Sequence, residues 1–395
     1  MNTEAIINNQ YQTNGLGAID IQIYDELEPL KETWKNLESN GVCSLYQRFE
    51  WMQGWTTRVA GPARIKPRLV LGSVGGTPLF IFPLGLRKRG PFTVVSWLGD
   101  SHTNFHMGLS SKEFLRMITP ADMRKLIDHI ITSFGRVDIL ELCCQPVVWE
   151  QRTNPFTYLK WQESHNHGFA LKLEDSFKAT LDRKNGSRKR KKYRWQRNKL
   201  EAIGGAKLRL AESRDEVNEF LDVAFQQMGR RFNKSGIWNR FQDEGVASFM
   251  RELAIVSLQN EEPALQIYGL EIDGKLRATF AGGVRGKQFS GCFISLANDE
   301  YSYISPGEMI IYLVIEDCVH RGFEFFDLGR GEERYKTSWC DSTIAMFETN
   351  VAFTKFGVSY ALYERAKLSL KRLVRNNKTL WKIAKKIRSK FYGRV

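Results

Sequence analysis

Directly after the apolar run Phe323-Glu324-Phe325-Phe326-Asp327-Leu328-Gly329 comes a polar cluster, Gly331-Glu332-Glu333-Arg334-Tyr335-Lys336. Open α/β sheets hold ligands beyond the C-terminal ends of their strands, so this cluster lies where a substrate would bind. The Tyr335 phenol stays protonated at neutral pH and can donate its proton to a developing anion, although a Tyr here could equally pack a helix onto the sheet. Lys336 is a point charge able to hold an acidic acceptor or stabilise an oxyanion. Glu332 and Glu333 are adjacent carboxylates, one of which could act as a base if burial raised its pKa; an ordered water chain is the rival. Upstream, Ser305-Pro306-Gly307-Glu308 opens an apolar helix. Unpaired first-turn amides and the positive dipole end bind phosphate, and a Gly lets it approach the backbone. The plainer alternative is an ordinary helix start, with Ser305 as cap and Pro306 in the first turn.

A second polar loop, Asp100-Ser101-His102-Thr103-Asn104-Phe105-His106, follows a strand ending at Trp97. Loops leaving a rigid sheet concentrate functional groups, which makes His102, Asn104 and His106 substrate-binding candidates. Two His four residues apart, with neither a helix nor a third partner, do not make a zinc site, and no metal is expected. Arg230, at a helix end, could meet an anionic acceptor or simply cap carbonyls. No Ser or Cys stands in a nucleophile-base arrangement, so a group transfer would proceed by direct attack.

The elements that must position these residues recur twice. Residues 20–24 alternate like a strand, and 26–37 carry apolar residues at helical spacing. A hairpin over 68–86 turns at Gly75-Gly76; a strand at 92–97, a helix at 121–134 and a strand at 137–142 follow. Helices at 216–231 and 245–258 then precede a hairpin over 265–284 turning at Asp273-Gly274. A strand at 288–296, a helix at 308–320 and a strand at 323–328 complete the second set. One α/β unit with a mixed sheet, used twice, is the expected fold. The expected boundaries are a flexible 1–19, domains at 20–175 and 176–360, and a tail at 361–395.

A chain of 395 residues suits two domains. The net charge of +14 is concentrated: residues 183–199 hold ten Lys or Arg, residues 365–395 hold twelve, and neither stretch contains an acid. The remainder is net negative, which argues against a surface that coats nucleic acid generally. In the first run Tyr193 and Trp195 interleave with basic residues, as in nucleic-acid contacts, and a solvated helix face is the alternative. Residues 366–392 form a basic amphipathic helix suited either to an anionic membrane surface or to packing on the body. No apolar run reaches membrane-spanning length and no secretory signal is visible, so a cytoplasmic protein is expected, with the inner membrane face open to its tail. Six Cys without CxxC spacing read as reduced thiols.

These motifs, in order, resemble the GNAT acyltransferase superfamily, specifically its CelD/BioF-like acetyltransferase domain, a relative of the Fem peptidoglycan aminoacyltransferases. The carriers are Trp97-Leu98-Gly99, the basic run at 188–197, Ser305-Pro306-Gly307, Phe326-Asp327-Leu328-Gly329, and Gly331 with Tyr335, Lys336 and Trp339. The resemblance implies tandem GNAT folds, acetyl-CoA or another acyl-CoA as donor, and transfer to an amine or hydroxyl of a sugar, polysaccharide precursor or glycolipid. It assigns donor contacts to Phe293, Ile294 and Ser295 on the strand at 288–296 and to Ser305, Gly307 and Glu308, and the role of thiolate acid to Tyr335. The first half has Thr119-Pro120-Ala121 at the matching helix start, without Gly, so the donor is expected in the second half. An aminoacyl-tRNA-dependent Fem-like transferase and a non-catalytic scaffold at the membrane are the alternatives, although nucleic acid is not the expected partner.

Overall fold

Period-two burial lays down the strands. In Gly17–Tyr24, Ile19, Ile21 and Ile23 are fully buried and the residues between them are not. Both hairpins turn where two successive residues take positive φ, Gly75 (54°) with Gly76 (80°), and Asp273 (50°) with Gly274 (66°). A computed structural model describes residues 5–13, 17–164, 166–236 and 238–377.

In chain order, β1 (Ile7–Thr13) and β2 (Gly17–Tyr24) lead through α1 (Lys31–Asn40) and α2 (Phe49–Trp55) to β3 (Lys66–Val74), β4 (Thr77–Arg89) and β5 (Phe92–Trp97). Next come β6 (Leu109–Ser110), α3 (Lys112–Met117), α4 (Pro120–Ser133), β7 (Ile139–Pro146), β8 (Val148–Trp149), β9 (Arg152–Thr153) and β10 (Trp161–Glu163). They are followed by β11 (Gly168–Lys172), α5 (Phe177–Asp182), α6 (Gly186–Leu200), β12 (Ala206–Leu210), α7 (Arg214–Ser235) and α8 (Val246–Ser257). Then β13 (Gln266–Ile272), β14 (Lys275–Arg285), β15 (Gln288–Leu296), α9 (Pro306–His320), β16 (Phe325–Arg330), α10 (Arg334–Trp339) and β17 (Ser342–Ile344) precede β18 (Met346–Ala352) and α11 (Lys355–Asn376).

Two units result, one from residues 1–165 with 344–382 and one from 166–343 among the described residues. The first unit's sheet runs β1-β2-β3-β4-β5-β7-β18-β10, and the second's runs β12-β13-β14-β15-β16-β11-β17. Each is a mixed sheet in which one neighbouring pair is parallel, β5 with β7 and β15 with β16. In each the final antiparallel neighbours come from elsewhere in the chain: β18 lies on β7, and β11 lies on β16. The boundaries expected at 175 and 360 therefore fall at 165 and 343, because backbone pairing places β11 in the second sheet and returns β18 to the first. The N-terminus also differs from the flexible 1–19 expected. All seven residues of β1 pair antiparallel with β2, and Asn9 accepts a hydrogen bond from His129 and donates one to Ser133.

In the first unit α4 buries Met123, Leu126, Ile127, Ile130 and Ile131 at helical spacing in a core with Phe82, Trp97 and Phe156. In the second, α9 buries Ile310, Val314, Ile315 and Cys318 among Phe280, Phe289 and Phe326, the last two rings stacked with centroids 5.4 Å apart. The start of α11 is stitched to the first sheet through Asp138, whose carboxylate accepts from the Thr93 amide and the Thr354 hydroxyl, each at 2.8 Å. Gly357 passes so close that a Cβ there would lie 1.8 Å from the Asp138 carbonyl oxygen. Backbone cannot yield as a side chain does, so Gly357→Ala should destabilise the first unit by about 3 kcal/mol or more, read as a lower midpoint in urea unfolding.

Candidate active site

The site in the second unit begins with a fault in a sheet. β14 and β15 pair regularly from Arg285 with Gln288 to Gly282 with Gly291, but Ala281 then faces Phe293, leaving Cys292 as an extra residue. Such a bulge sharpens the local twist. On its other side β15 pairs with β16 only at Gln288, Phe289 and Ser290, while β16 continues alongside β11 as far as Arg330. The strands part at the bulge, and Gly291 sits at the fork, where a Cβ would lie 2.9 Å from the Phe280 ring and 3.0 Å from the Asp327 carbonyl oxygen. Beyond Cys292, β15 is laddered to β14 alone among the described strands.

A cleft of about 1080 Å³ opens in this unit, lined by Ile294, Leu296, Ala297 and Asn298, the start of α9, the α7 residues Gln227 and Arg230, and Glu333 and Tyr335. At its floor Ser305 takes a left-handed conformation (φ 62°) and its side chain caps nothing. Its carbonyl instead accepts from the Glu308 amide at 3.0 Å and the Met309 amide at 3.4 Å. Pro306 has no N–H, so the Gly307 amide is left as the first-turn donor beside the cleft. A Cβ on Gly307 would meet Leu296 at 2.8 Å, so glycine also makes room for a neighbour's side chain. The same helix start is buttressed from α6, where Gln196 donates to the Ile304 carbonyl at 2.7 Å and Lys192 pairs with Glu308 at 2.8 Å.

Across the cleft, burial and the nearby Glu333 carboxylate hold the Tyr335 phenol well above its usual pKa, so it remains a proton donor. Lys336 is buried, which lowers its pKa; its ammonium reaches Glu333 at 3.1 Å and the Arg330 carbonyl. Gly331, at φ 110°, makes space for Glu333, whose carboxylate would lie 2.8 Å from a Cβ there. Beneath lies Asp327, fully buried, accepting from the Gly329 amide and from Gln288, each at 2.9 Å. Burial pushes its pKa up to about 6.

Residues 187–337 match a family model described as an acetyltransferase (GNAT) domain. This segment belongs to the GNAT superfamily. Among solved structures, the chain resembles FemX (10% identity, TM-score 0.57, covering 80% of this chain and 95% of that one). It also resembles a conserved protein of unknown function from Bacteroides thetaiotaomicron (17% identity, TM-score 0.53, 84% of this chain and 99% of that one). The C-terminal domain of a putative lysylphosphatidylglycerol synthetase from Agrobacterium fabrum is similar as well (10% identity, TM-score 0.51, 85% and 95%). Identities this low speak for the fold alone, which is a tandem, Fem-related GNAT fold. No curated protein matches the chain. The chain is a transferase of the GNAT type.

Of the residues singled out in sequence, the GNAT cleft brings together Tyr335, Glu333, Ser305, Gly307, Glu308, Ile294 and Arg230. Others lie elsewhere. Ser295 is buried, its hydroxyl bonded to Thr279 and Gln227 at 2.7 Å each, and Phe293 packs on Phe241 with ring centroids 5.1 Å apart. Lys336 holds Glu333 and a carbonyl instead of standing as a free charge in the cleft, and Glu308 is engaged by Lys192. Glu332 and Glu333 are both exposed, so the burial expected of a base is missing there; the buried carboxylate is Asp327. His102, Asn104 and His106 are buried in the first unit. Trp55 donates to His102 at 3.2 Å, Asn104 donates to the Tyr46 hydroxyl at 2.7 Å, and the two His106 ring nitrogens face Thr103 and the Cys143 carbonyl. Although His106, Cys143 and Cys144 approach within 4.8 Å, those bonds occupy both imidazole nitrogens. Gln227, Lys275 and Arg277 were not found from sequence, because α7 and β14 bring them to the cleft from remote positions.

The native state binds the Asp327 proton more tightly than the unfolded chain, whose ordinary value is 3.8. The stabilisation from that proton is complete below that value and is lost as pH rises through about 6. Asp327→Asn should therefore gain on the wild type as pH rises from 4 to 7, by up to about 3 kcal/mol, in thermal melts across that range.

Proposed function

We propose that the second-unit cleft binds acyl-CoA, with acetyl-CoA as its first candidate, and transfers the acyl group to an amine or hydroxyl of a sugar or polysaccharide precursor. The parting of β15 from β16 carries this reading: beyond Cys292, β15 is laddered to β14 alone, and the amides of an extended pantetheine arm would pair with its other edge there. The pyrophosphate would lie at the start of α9 near Gly307, and the thioester near Tyr335. The acceptor's lone pair attacks the thioester carbonyl carbon and its proton leaves through a water chain to solvent, past exposed Glu333. The C–S bond then breaks and Tyr335 gives its proton to the departing thiolate. Lys336 acts through Glu333 as a positioning residue, and Arg230, with Arg231 and Lys234 beside it, offers positive charge to an anionic acceptor.

A second reading, an aminoacyl-tRNA donor, is supported by α6. Its inward face carries Tyr193, stacked 4.1 Å from Tyr312, and Lys189, over the Trp339 ring. Its outer face exposes Arg188, Lys191, Arg194 and Arg197 around Trp195. Basic and aromatic groups on one face suit a phosphate backbone.

Calorimetry with acetyl-CoA should give micromolar binding that Ile294→Trp, projecting into the cleft, abolishes without lowering the melting temperature. Tyr335→Phe should bind acetyl-CoA as the wild type does, yet release thiol to an amino-sugar panel about 10²-fold more slowly. Failure of acetyl-CoA and longer acyl-CoAs to bind would overturn the donor assignment. Salt-sensitive tRNA binding, lost in Lys191→Glu with Arg194→Glu, would then favour the second reading.

A further inference from the structure

The inward side of α11 packs on the first sheet through Tyr360 and Ala361, which join Val94 and Ile139 in a small core, and Tyr360 donates no room to solvent there because Phe92 lies 4.9 Å away. Among the described residues, its opposite side is uncovered. Val358, Leu362, Leu370 and Leu373 follow one another at spacings of four, eight and three, which at 100° per residue gathers them, with Ala366, into one stripe. They are 49%, 58%, 62% and 59% exposed, and Tyr363 beside them is 62% exposed. Exposed Ser359 and Ser369 share this side, but a helix that needed only to cap the sheet would not expose four large aliphatic side chains there, and such a cluster marks an interaction surface.

Charge decides the occupant. Arg365 flanks the stripe on one side, Lys367 on the other is paired with Glu364 at 2.9 Å, and residues 365–395 hold twelve Lys or Arg and no acid. Apolar residues in the centre with cations at the sides match a lipid surface, where leucines enter the acyl boundary and basic groups meet anionic headgroups. A repeating array of like charges would also oppose pairing with a second copy of the same helix. No helix among the described residues is long and apolar enough to cross a membrane, so contact would be from one side. We propose that α11 lies in the surface of an anionic membrane and holds the first unit there. This is independent of the donor assignment.

The test is co-sedimentation of the full chain with phosphatidylcholine vesicles, and with vesicles containing 30% phosphatidylglycerol. The wild type should bind the anionic vesicles and leave the neutral ones. Leu362→Ser with Leu370→Ser and Leu373→Ser keeps every charge and touches only exposed residues, and it should weaken binding at least tenfold with an unchanged melting temperature. Equal binding by this variant would overturn the proposal, showing attraction by charge alone, as a nucleic acid would also supply. Absence of vesicle binding, or a concentration-dependent dimer that the serine variant abolishes, would overturn it too.

Discussion

Everything about the candidate site depends on one constraint: a strand cannot follow two diverging neighbours at once. β15 keeps its ladder with β14, and the extra residue at Cys292 turns it away from β16, which stays with β11. Buried backbone donors and acceptors are costly when unpaired, so this edge must face water or a ligand. The fork is held from below by stacked Phe289 and Phe326 and by Asp327, whose acceptor bonds tie β16 to its own Gly329 turn and to Gln288 and Ser290 on β15. A buried carboxylate with a raised pKa is thus part of the hinge that keeps the cleft open, although it does not line it.

The first unit fills the corresponding place differently. β5 and β7 also run parallel for a short distance, at Val94 and Val95, before separating. There the next large side chain, Trp97, is buried 4.9 Å from the Phe156 ring, so the interior is filled by aromatic packing. The corresponding helix start differs in the same sense. The Thr119 side chain accepts from the Asp122 amide and satisfies the end of α4 internally, whereas Ser305 caps nothing. A polar helix end closed by its own chain is a structural element; one left open beside a cleft is available to an anion. Burial of His102, Asn104 and His106 fits this division, since polar groups enclosed by hydrogen bonds specify packing.

Helix α6 joins the basic run to the cleft physically. Its inward face supports the start of α9 through Gln196 and Lys192, and its outward face leaves cations in solvent. One run of residues therefore both buttresses the start of α9 and presents charge. Composition alone could not separate the two roles, because the side chains are of the same kind and only their position around the helix differs.

What the sequence by itself determined is local. Periods of two and 3.6 placed β15, α9 and both hairpins within a few residues, since side-chain spacing and the positive-φ turns act over short stretches. The repeated order of elements, and the cluster around Tyr335 beyond β16, were likewise readable. Only the tertiary structure decided which strands complete each sheet. Gln145 on β7 donates a side-chain hydrogen bond to Thr349 on β18 at 204 residues' separation, within a ladder whose backbone bonds leave no mark on either segment's composition. It also decided that Lys336 is buried and paired while Glu333 faces the cleft, because burial is set by what packs over a residue, and those neighbours are assembled from distant parts of the chain.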